Sequence, residues 1–289
     1  MDKFVEFTGR TQVTNPPCEF GLGADVVMGY YDGNTVTALW NYAQHFAMSD
    51  NSYGTTFGPS IPGHINLISG QTHGANVVKL VGNINAIVVE GTVIGNPGPV
   101  DDCTGPGASQ VRMTGRNVGD LLNDKGITWG WFAGGFGARK PDGTVNCLAR
   151  HTSFAGFTFI DYISGDEPFQ FYPSTANPHH LPPKPDEIIG GPGDANHQYD
   201  LDDFWSAAES GNLPAVSFLK AAGYQTGHAL FSDPQDEQTF LVNTINRLQE
   251  LPEWKSMAIV IAYDGTVNLG LKELFQLVNV SALKLIRPL

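Results

Sequence analysis

One segment organises this sequence: Phe57-Gly58-Pro59-Ser60-Ile61-Pro62-Gly63-His64-Ile65-Asn66-Leu67-Ile68-Ser69-Gly70. Gly58 and Pro59 interrupt regular structure, and the apolar residues after them predict a helix. Ser60 lies at the junction, where free backbone N–H groups and the positive end of the helix dipole favour negative charge. Its hydroxyl could cap the helix, or it could be a nucleophile that attacks a phosphate held by the same field. The segment alone leaves both roles open.

Helical and strand-like segments alternate in the second half of the chain. The predicted strands are 127–132, 215–219 and 257–263, and the predicted helices are 117–125, 201–210 and 233–248. This alternation is typical of an α/β fold with a largely parallel sheet. Ligands of such sheets bind beyond the carboxyl ends of the strands, and Asp264 directly follows the last predicted strand. The aromatic residues of the first strand, Trp129, Trp131 and Phe132, are expected in the core.

The charge balance restricts the possible partners. The chain has 29 acidic and 16 basic residues, a net charge of −13, and 41% hydrophobic residues, so it is globular rather than disordered. The negative charge argues against binding nucleic acid or an anionic membrane surface. A phosphorylated substrate would therefore need a positive partner nearby, and a bound divalent cation is the natural candidate.

The sequence also carries signals about location and oxidation. No run of about 18 apolar residues exists, so no transmembrane helix is expected. Residues 1–7 contain no apolar signal core, so no secretory signal is expected, and the compartment and the oligomeric state stay open. Cys103 and Cys147 both lie in loop-like sequence and could pair in an oxidising compartment, with free thiols as the alternative.

Histidines occur in a long polar segment, 172–196, and just beyond it. A loop of this length inside a compact domain is often functional. His180 and its neighbour His179 lie within it, and His197 follows. Exposed surface histidine is the alternative for each of them.

Several separate motifs, in the same order along the chain, resemble the bacterial and fungal phosphoesterase family of phospholipases C and acid phosphatases. They lie at residues 29–40, 47–51, 57–70, 214–219, 227–228, 236–237 and 261–264. The resemblance implies a fold similar to alkaline phosphatase, which is a three-layer α/β/α sandwich with a mostly parallel sheet. It divides the chain into an irregular segment 1–28, an incomplete phosphoesterase-like domain 29–264 and an atypical tail 265–289.

The resemblance implies hydrolysis of phosphoric esters through a phosphorylated serine and a bound divalent metal. Ser60 matches the nucleophile, and both Asp264 and Ser60 match metal ligands. His228 matches a histidine that contacts the phosphate or protonates the leaving group, and His180 falls in the segment that supplies another active-site histidine. The expected substrate is a phosphorylated small molecule or a phospholipid head group.

Two differences from the family pattern leave a second function open. The family has a metal-binding Glu-Asn pair after its first strand, and residues 1–28 contain no such pair. Gly265 stands where the family has a second aspartate. These differences predict a domain that is incomplete at both ends, and the alternative function is a catalytically inactive relative that binds phosphorylated ligands.

Overall fold

The structure is a computed structural model that describes residues 32–49, 59–228 and 231–263. The whole predicted segment 1–28, the metal-ligand candidate Asp264 and the predicted tail 265–289 lie outside these described residues. The domain boundaries proposed from the sequence therefore stay predictions.

The described residues form five α-helices and nine strands. The helices are α1 (Thr37–His45), α2 (Ser60–Ser69), α3 (Val118–Asp124), α4 (Leu201–Glu209) and α5 (Pro234–Gln249). The strands are β1 (Ala75–Lys79), β2 (Val88–Val89), β3 (Thr92–Val93), β4 (Gln110–Met113), β5 (Trp129–Ala133), β6 (Arg150–Thr152), β7 (Thr158–Ile160), β8 (Gln198–Asp200) and β9 (Val216–Lys220).

A parallel sheet of three strands, in the order β8-β5-β9, lies at the centre. Every residue of β5 is buried, as expected for a central strand covered on both faces. The prediction of strands near 127–132 and 215–219 is confirmed, and Trp129, Trp131 and Phe132 are core residues. The carboxyl ends of the three strands are Ala133, Asp200 and Lys220.

Three two-stranded antiparallel pairs, β1-β4, β2-β3 and β6-β7, complete the sheets of the described residues. The protein is therefore mixed α/β and includes a parallel sheet, as the alternation predicted. The complete three-layer sandwich of alkaline phosphatase is not confirmed and stays a prediction.

The predicted strand at Met257–Tyr263 is wrong. This segment follows a 3₁₀-helix, Pro252–Ser256, and forms no strand. Met257, Ile259 and Ile261 pack against the core, whereas Val260 and Tyr263 are exposed. A continuous apolar run does not distinguish a paired strand from an extended segment that lies on the core.

Local sequence explains where three helices begin. The side chains of Asn117, Asp200 and Asp233 cap α3, α4 and α5, and each helix has an aspartate three residues later that completes a capping box. Pro234 occupies the first position of α5, where its missing N–H has no consequence. The predicted start of the last helix is confirmed.

A disulfide joins Cys103 to Cys147 across 44 residues. It ties the loop after β3 to the loop after β5. The structure therefore supports the paired alternative over free thiols.

No helix among the described residues is long and apolar enough to cross a membrane.

Candidate functional site

Ser60 is the first residue of α2, and the capping position before it is Pro59. The structure shows no side-chain capping bond at this end of the helix. The N-cap alternative for Ser60 is therefore wrong. Its hydroxyl lies at the positive end of the helix dipole without the bond that a cap would make.

Packing fixes the position of α2. Ile61, Ile65 and Ile68 are buried against the core, and the helix ends at Gly70, whose left-handed backbone (φ 70°) suits glycine. Because these side chains lie on one face of the helix, rotation of α2 about its axis would remove their contacts with the core. The position of Ser60 is therefore set by the apolar residues that follow it.

Ser60 opens into a cavity of about 390 Å³, which we call the Ser60 pocket. Its ionisable side chains come from three separate parts of the chain, and they are His64, Asp166, Lys220 and His228. Cavities of a few hundred Å³ with a few convergent polar groups are typical of small-molecule sites. The sequence predicted two residues of this pocket, Ser60 and His228, and the structure brings them together.

His228 lies beyond β9 and a 3₁₀-helix, Gly223–Gln225, in a turn that begins at Gly227. Gly227 has a left-handed backbone (φ 73°), and its N–H donates to the Ser232 hydroxyl at 2.7 Å. The His228 ring stacks on Phe231, with the ring centres 4.1 Å apart. This turn and this stack orient the imidazole at the pocket wall.

An ion pair that the sequence analysis missed lies in the same wall. The ammonium of Lys220 is 3.1 Å from a carboxylate oxygen of Asp166, and the Lys220 side chain is only 6% exposed. Lys220 is the last residue of the parallel strand β9, so the rule that ligands bind at the carboxyl ends of parallel strands could have found it. Asp166 ends a 3₁₀-helix, Ser164–Asp166, that no pattern predicted.

Lys220 is held in place by the close approach of two backbone segments. The N–H of Gly134, just after β5, donates to the Lys220 carbonyl at 3.0 Å. A Cβ atom at Gly134 would lie 2.6 Å from the backbone nitrogen of Ala222. Only glycine therefore lets the two chain segments meet here without displacement.

The basic residues of the pocket act on Asp166. Burial by itself would raise the pKa of this carboxyl, but Lys220, His64 and His228 outweigh it, and the pKa is lowered from its usual value. Asp166 is therefore an anion at neutral pH. Three basic side chains of the pocket are close enough to stabilise a negative charge.

His64 is the other residue that sequence reasoning missed. It lies one turn after Ser60 on the same helix, is 1% exposed, and its Nδ1 is 2.9 Å from the Ser60 carbonyl oxygen. A spacing of four residues places two side chains on one helix face, and this is the signal that could have predicted it.

His180 does not line the Ser60 pocket as the described residues define it. It belongs to a buried group that we call the Asp101 cluster, which comprises Asp101, Tyr162, Gln170 and His180. Asp101 accepts hydrogen bonds from Tyr162 (3.0 Å) and Gln170 (2.7 Å), and it lies 3.1 Å from His180 Nε2. His180 Nδ1 lies 3.0 Å from the Phe136 carbonyl. Both ring nitrogens are therefore engaged by protein oxygens.

The two other candidate histidines also lie elsewhere. His179 is exposed, and its Nδ1 is 3.1 Å from the Asp102 carboxylate. His197 is buried, stacks on Trp129, and bonds through Nδ1 to the Trp129 carbonyl at 3.0 Å. Burial lowers the pKa of His197, which is consistent with a neutral core histidine.

Among the described residues, one group could hold a metal ion by proximity, with ligand atoms within 4.8 Å of one another: Asp101, Cys103 and His180. Its donors do not fit a metal in this state. The Cys103 sulfur is bonded to Cys147, whereas a cysteine ligand must be a thiolate. The described part of the Ser60 pocket forms no such group, and Asp264 lies outside the described residues.

A larger groove of about 1040 Å³ lies between α1 and α5. None of its described lining residues is ionisable; they include Asn34, Asn41, Gln44, Gln235 and Gln238. A charged substrate has no counter-charge there. The Ser60 pocket is therefore the better candidate for chemistry on a phosphate.

Residues 1–266 match the model of the phosphoesterase family. The match begins at residue 1 and so includes the segment 1–28 that sequence analysis had set apart. No curated protein matches the chain.

Proposed function

Because the chain belongs to the phosphoesterase family, whose activity is hydrolysis of phosphoric esters, we propose that it cleaves such esters in the Ser60 pocket. The observation that carries the proposal is the position of Ser60. It begins a helix, is not used as a cap, and opens into a cavity with His228 and Lys220. The proposed type is a phospholipase C or an acid phosphatase.

In the proposed reaction, the Ser60 oxygen attacks phosphorus and the bond from phosphorus to the leaving oxygen breaks. The alcohol departs, and a phosphorylated serine is left at the start of α2. Water then attacks this phosphorus and restores the serine hydroxyl; inorganic phosphate is released when the substrate is a monoester, and a phosphomonoester is released when it is a diester. The helix dipole stabilises the negative charge of the phosphate in both steps.

His228 is the proposed acid for the leaving group. An imidazole can give up a proton near neutral pH, and the departing alkoxide needs one. The turn at Gly227 and the stack on Phe231 hold the ring at the pocket wall. His180, whose nitrogens bond Asp101 and Phe136, is proposed to act on the structure of the site rather than on the substrate.

A divalent metal is part of the proposal through Asp264 and Ser60. When bound, such an ion would polarise the phosphate and lower the pKa of the serine hydroxyl. Hydroxyl and carboxylate oxygens suit hard cations such as Ca²⁺, Mg²⁺ or Mn²⁺. Activity should then fall on chelation and return with one of these ions.

The second candidate function is binding of phosphorylated ligands without turnover. Gly265, in place of the family's second aspartate, favours it, because this substitution removes a metal ligand. The Lys220 ammonium and the start of α2 in this pocket would still bind a phosphate.

Replacing Ser60 separates these functions. The substrates are an aryl phosphate and an aryl phosphocholine, each tested with a panel of divalent metals and after chelation. Ser60→Ala should lower kcat by about 10³-fold or more, because loss of a nucleophile removes the covalent route. Ser69→Ala, at the other end of α2, is the matched control and should keep full activity.

The result that contradicts the hydrolase is absence of turnover in folded wild-type protein under all metal conditions. Activity that survives in Ser60→Ala would contradict the role of Ser60 as the nucleophile but not the hydrolase function. A second variant, His228→Gln, tests the acid: its loss should be larger for an alkyl phosphate than for an aryl phosphate, because an aryl oxide leaves without a proton.

A further inference from the structure

Lys220 has more hydrogen-bonding capacity than its surroundings use. An ammonium carries three donors. The structure shows one partner among the described residues, the Asp166 carboxylate at 3.1 Å. Since Lys220 is only 5% exposed, bulk water does not surround its other donors. Lys220 lines the Ser60 pocket.

A buried ammonium with unused donors is costly unless something anionic is bound for part of the working cycle. Asp166 fixes the ammonium from one side. Both residues line the cavity that Ser60 also lines. The arrangement fits an oxyanion that lies between Lys220 and the start of α2.

The charge of the pocket contrasts with that of the chain. The described ionisable residues of its wall are three basic side chains, His64, Lys220 and His228, and one acid, Asp166. The whole chain carries a net charge of −13. With both histidines neutral, the pocket still places a buried ammonium in an acidic protein, and the attraction of that ammonium for a ligand grows with the negative charge of the ligand.

The number of ester bonds at phosphorus sets the negative charge of the ligand's phosphate group. A phosphomonoester carries a charge of about −1.5 to −2 at neutral pH. A phosphodiester has one ionisable oxygen and carries a single negative charge. It must also place a second ester arm in the pocket, whose volume of about 390 Å³ is at the small end for ligand sites.

We propose that the Ser60 pocket selects phosphomonoesters and that Lys220, held by Asp166, binds the non-bridging oxygens of their phosphate. This inference rests on the proposed function and narrows it, since it favours the phosphatase over the phospholipase C. Lys220 is a substrate-binding residue in this account. Asp166 is a positioning residue, because it holds the ammonium without touching the substrate.

The test compares wild type with the double variant Lys220→Met/Asp166→Asn. The double change avoids a buried carboxylate without a partner, which would unfold the site. Two substrates share one leaving group: an aryl phosphate and its methyl diester. Inhibition by inorganic phosphate and its effect on Tm give a measure of binding that needs no turnover.

We expect wild type to prefer the monoester. The double variant should lose about 100-fold in kcat/KM on the monoester, the usual effect of removing one donor to a reacting oxyanion. Its loss on the diester should be at least tenfold smaller. Inhibition by inorganic phosphate should weaken at least tenfold. Lys220→Arg, which keeps the charge, should recover part of the monoester activity.

The matched control is Lys184→Met/Asp194→Asn, which removes a similar pair, 2.8 Å apart, on the exposed surface. It should change neither selectivity nor phosphate binding. Two results would overturn the inference while leaving the proposed function: a wild-type preference for the diester, or unchanged monoester activity and phosphate binding in the Lys220 variant. If phosphate binding needs Lys220 but the protein turns over neither ester, the result would support the phosphate-binding role of Lys220 and contradict the hydrolase function.

Discussion

The Ser60 pocket and the Asp101 cluster each contain a buried pair of a basic and an acidic side chain, yet the two pairs have different surroundings. In the cluster, the Asp101 carboxylate has four partners and the His180 ring has two, and neither side chain is exposed. In the pocket, Lys220 has one partner among the described residues and opens into a cavity. The basic and acidic side chains of the cluster therefore have their hydrogen bonds satisfied within the protein, whereas Lys220 in the pocket has donors left for a ligand.

This difference separates residues that hold the fold from residues that can act on a ligand. A polar group whose bonds are all made within the protein cannot bind a substrate without losing one of them. A group with unused donors can bind a substrate and keep the bonds that it already makes. Substitutions in the cluster should therefore lower stability, whereas substitutions in the pocket should lower activity or phosphate binding.

His180→Ala should give the largest loss of stability. It removes one partner of a fully buried pair and leaves Asp101 with a reduced set of donors. Breaking such a pair costs about 3–5 kcal/mol. Urea unfolding measures this loss, and activity per folded molecule should change much less than the free energy of unfolding.

Lys184→Ala is the comparison, because it breaks an exposed pair with Asp194 that should be worth less than about 1 kcal/mol. The contrast would fail if His180→Ala left stability unchanged and abolished turnover. That outcome would place His180 among the residues that act on the substrate, as the family resemblance suggested.

Removing the disulfide should have the next largest effect. The bond between Cys103 and Cys147 closes a chain segment of 44 residues, and loss of such a constraint costs about 2–4 kcal/mol. The double variant Cys103→Ala/Cys147→Ala should unfold at lower urea concentration. A reductant should shift wild type toward the variant and leave the variant itself unchanged. An identical midpoint for wild type with and without reductant would show that the bond does not stabilise the protein.

The sequence predicted the parts of the fold that depend on local signals. The capping boxes at Asp200 and Asp233 and the buried run at β5 are short-range patterns, and their elements appear where expected. The run at Met257–Tyr263 failed because strand formation needs a hydrogen-bonding neighbour. Hydrophobicity along the chain carries no information about that neighbour.

The candidate site was predictable only in part, for a related reason. Ser60 stood out through its place at a loop-helix junction, and His228 through a family motif. Asp166 and Lys220 are 54 positions apart and have no motif in common, so only the fold brings them together. His180 was placed in the site by resemblance, whereas in the structure its ring faces Asp101 and Phe136.

Glu167 gives the prediction with the smallest expected effect. It tests the difference between the Ser60 pocket and the Asp101 cluster because it lies between the two regions. It is fully buried, and neither carboxyl oxygen has a hydrogen-bond partner among the described residues. It borders a cavity of about 10 Å³, room for about one water molecule, that Asp166 and Lys220 also line. Burial, and then the charge of Asp101, raises the pKa of Glu167 well above its usual value.

The sign of the pH effect follows from this raised pKa. Above a pH of about 4.5, the usual value for this carboxyl, the unfolded chain loses the Glu167 proton while the folded protein keeps it. The folded state then binds more protons, so this group makes stability fall as pH rises toward the folded pKa. Glu167→Gln stays neutral in both states. Urea unfolding should therefore give similar stabilities for the two proteins at pH 4 and a more stable variant at pH 8. An equal difference at both pH values would mean that folding does not shift the pKa of Glu167, which would contradict a buried neutral acid.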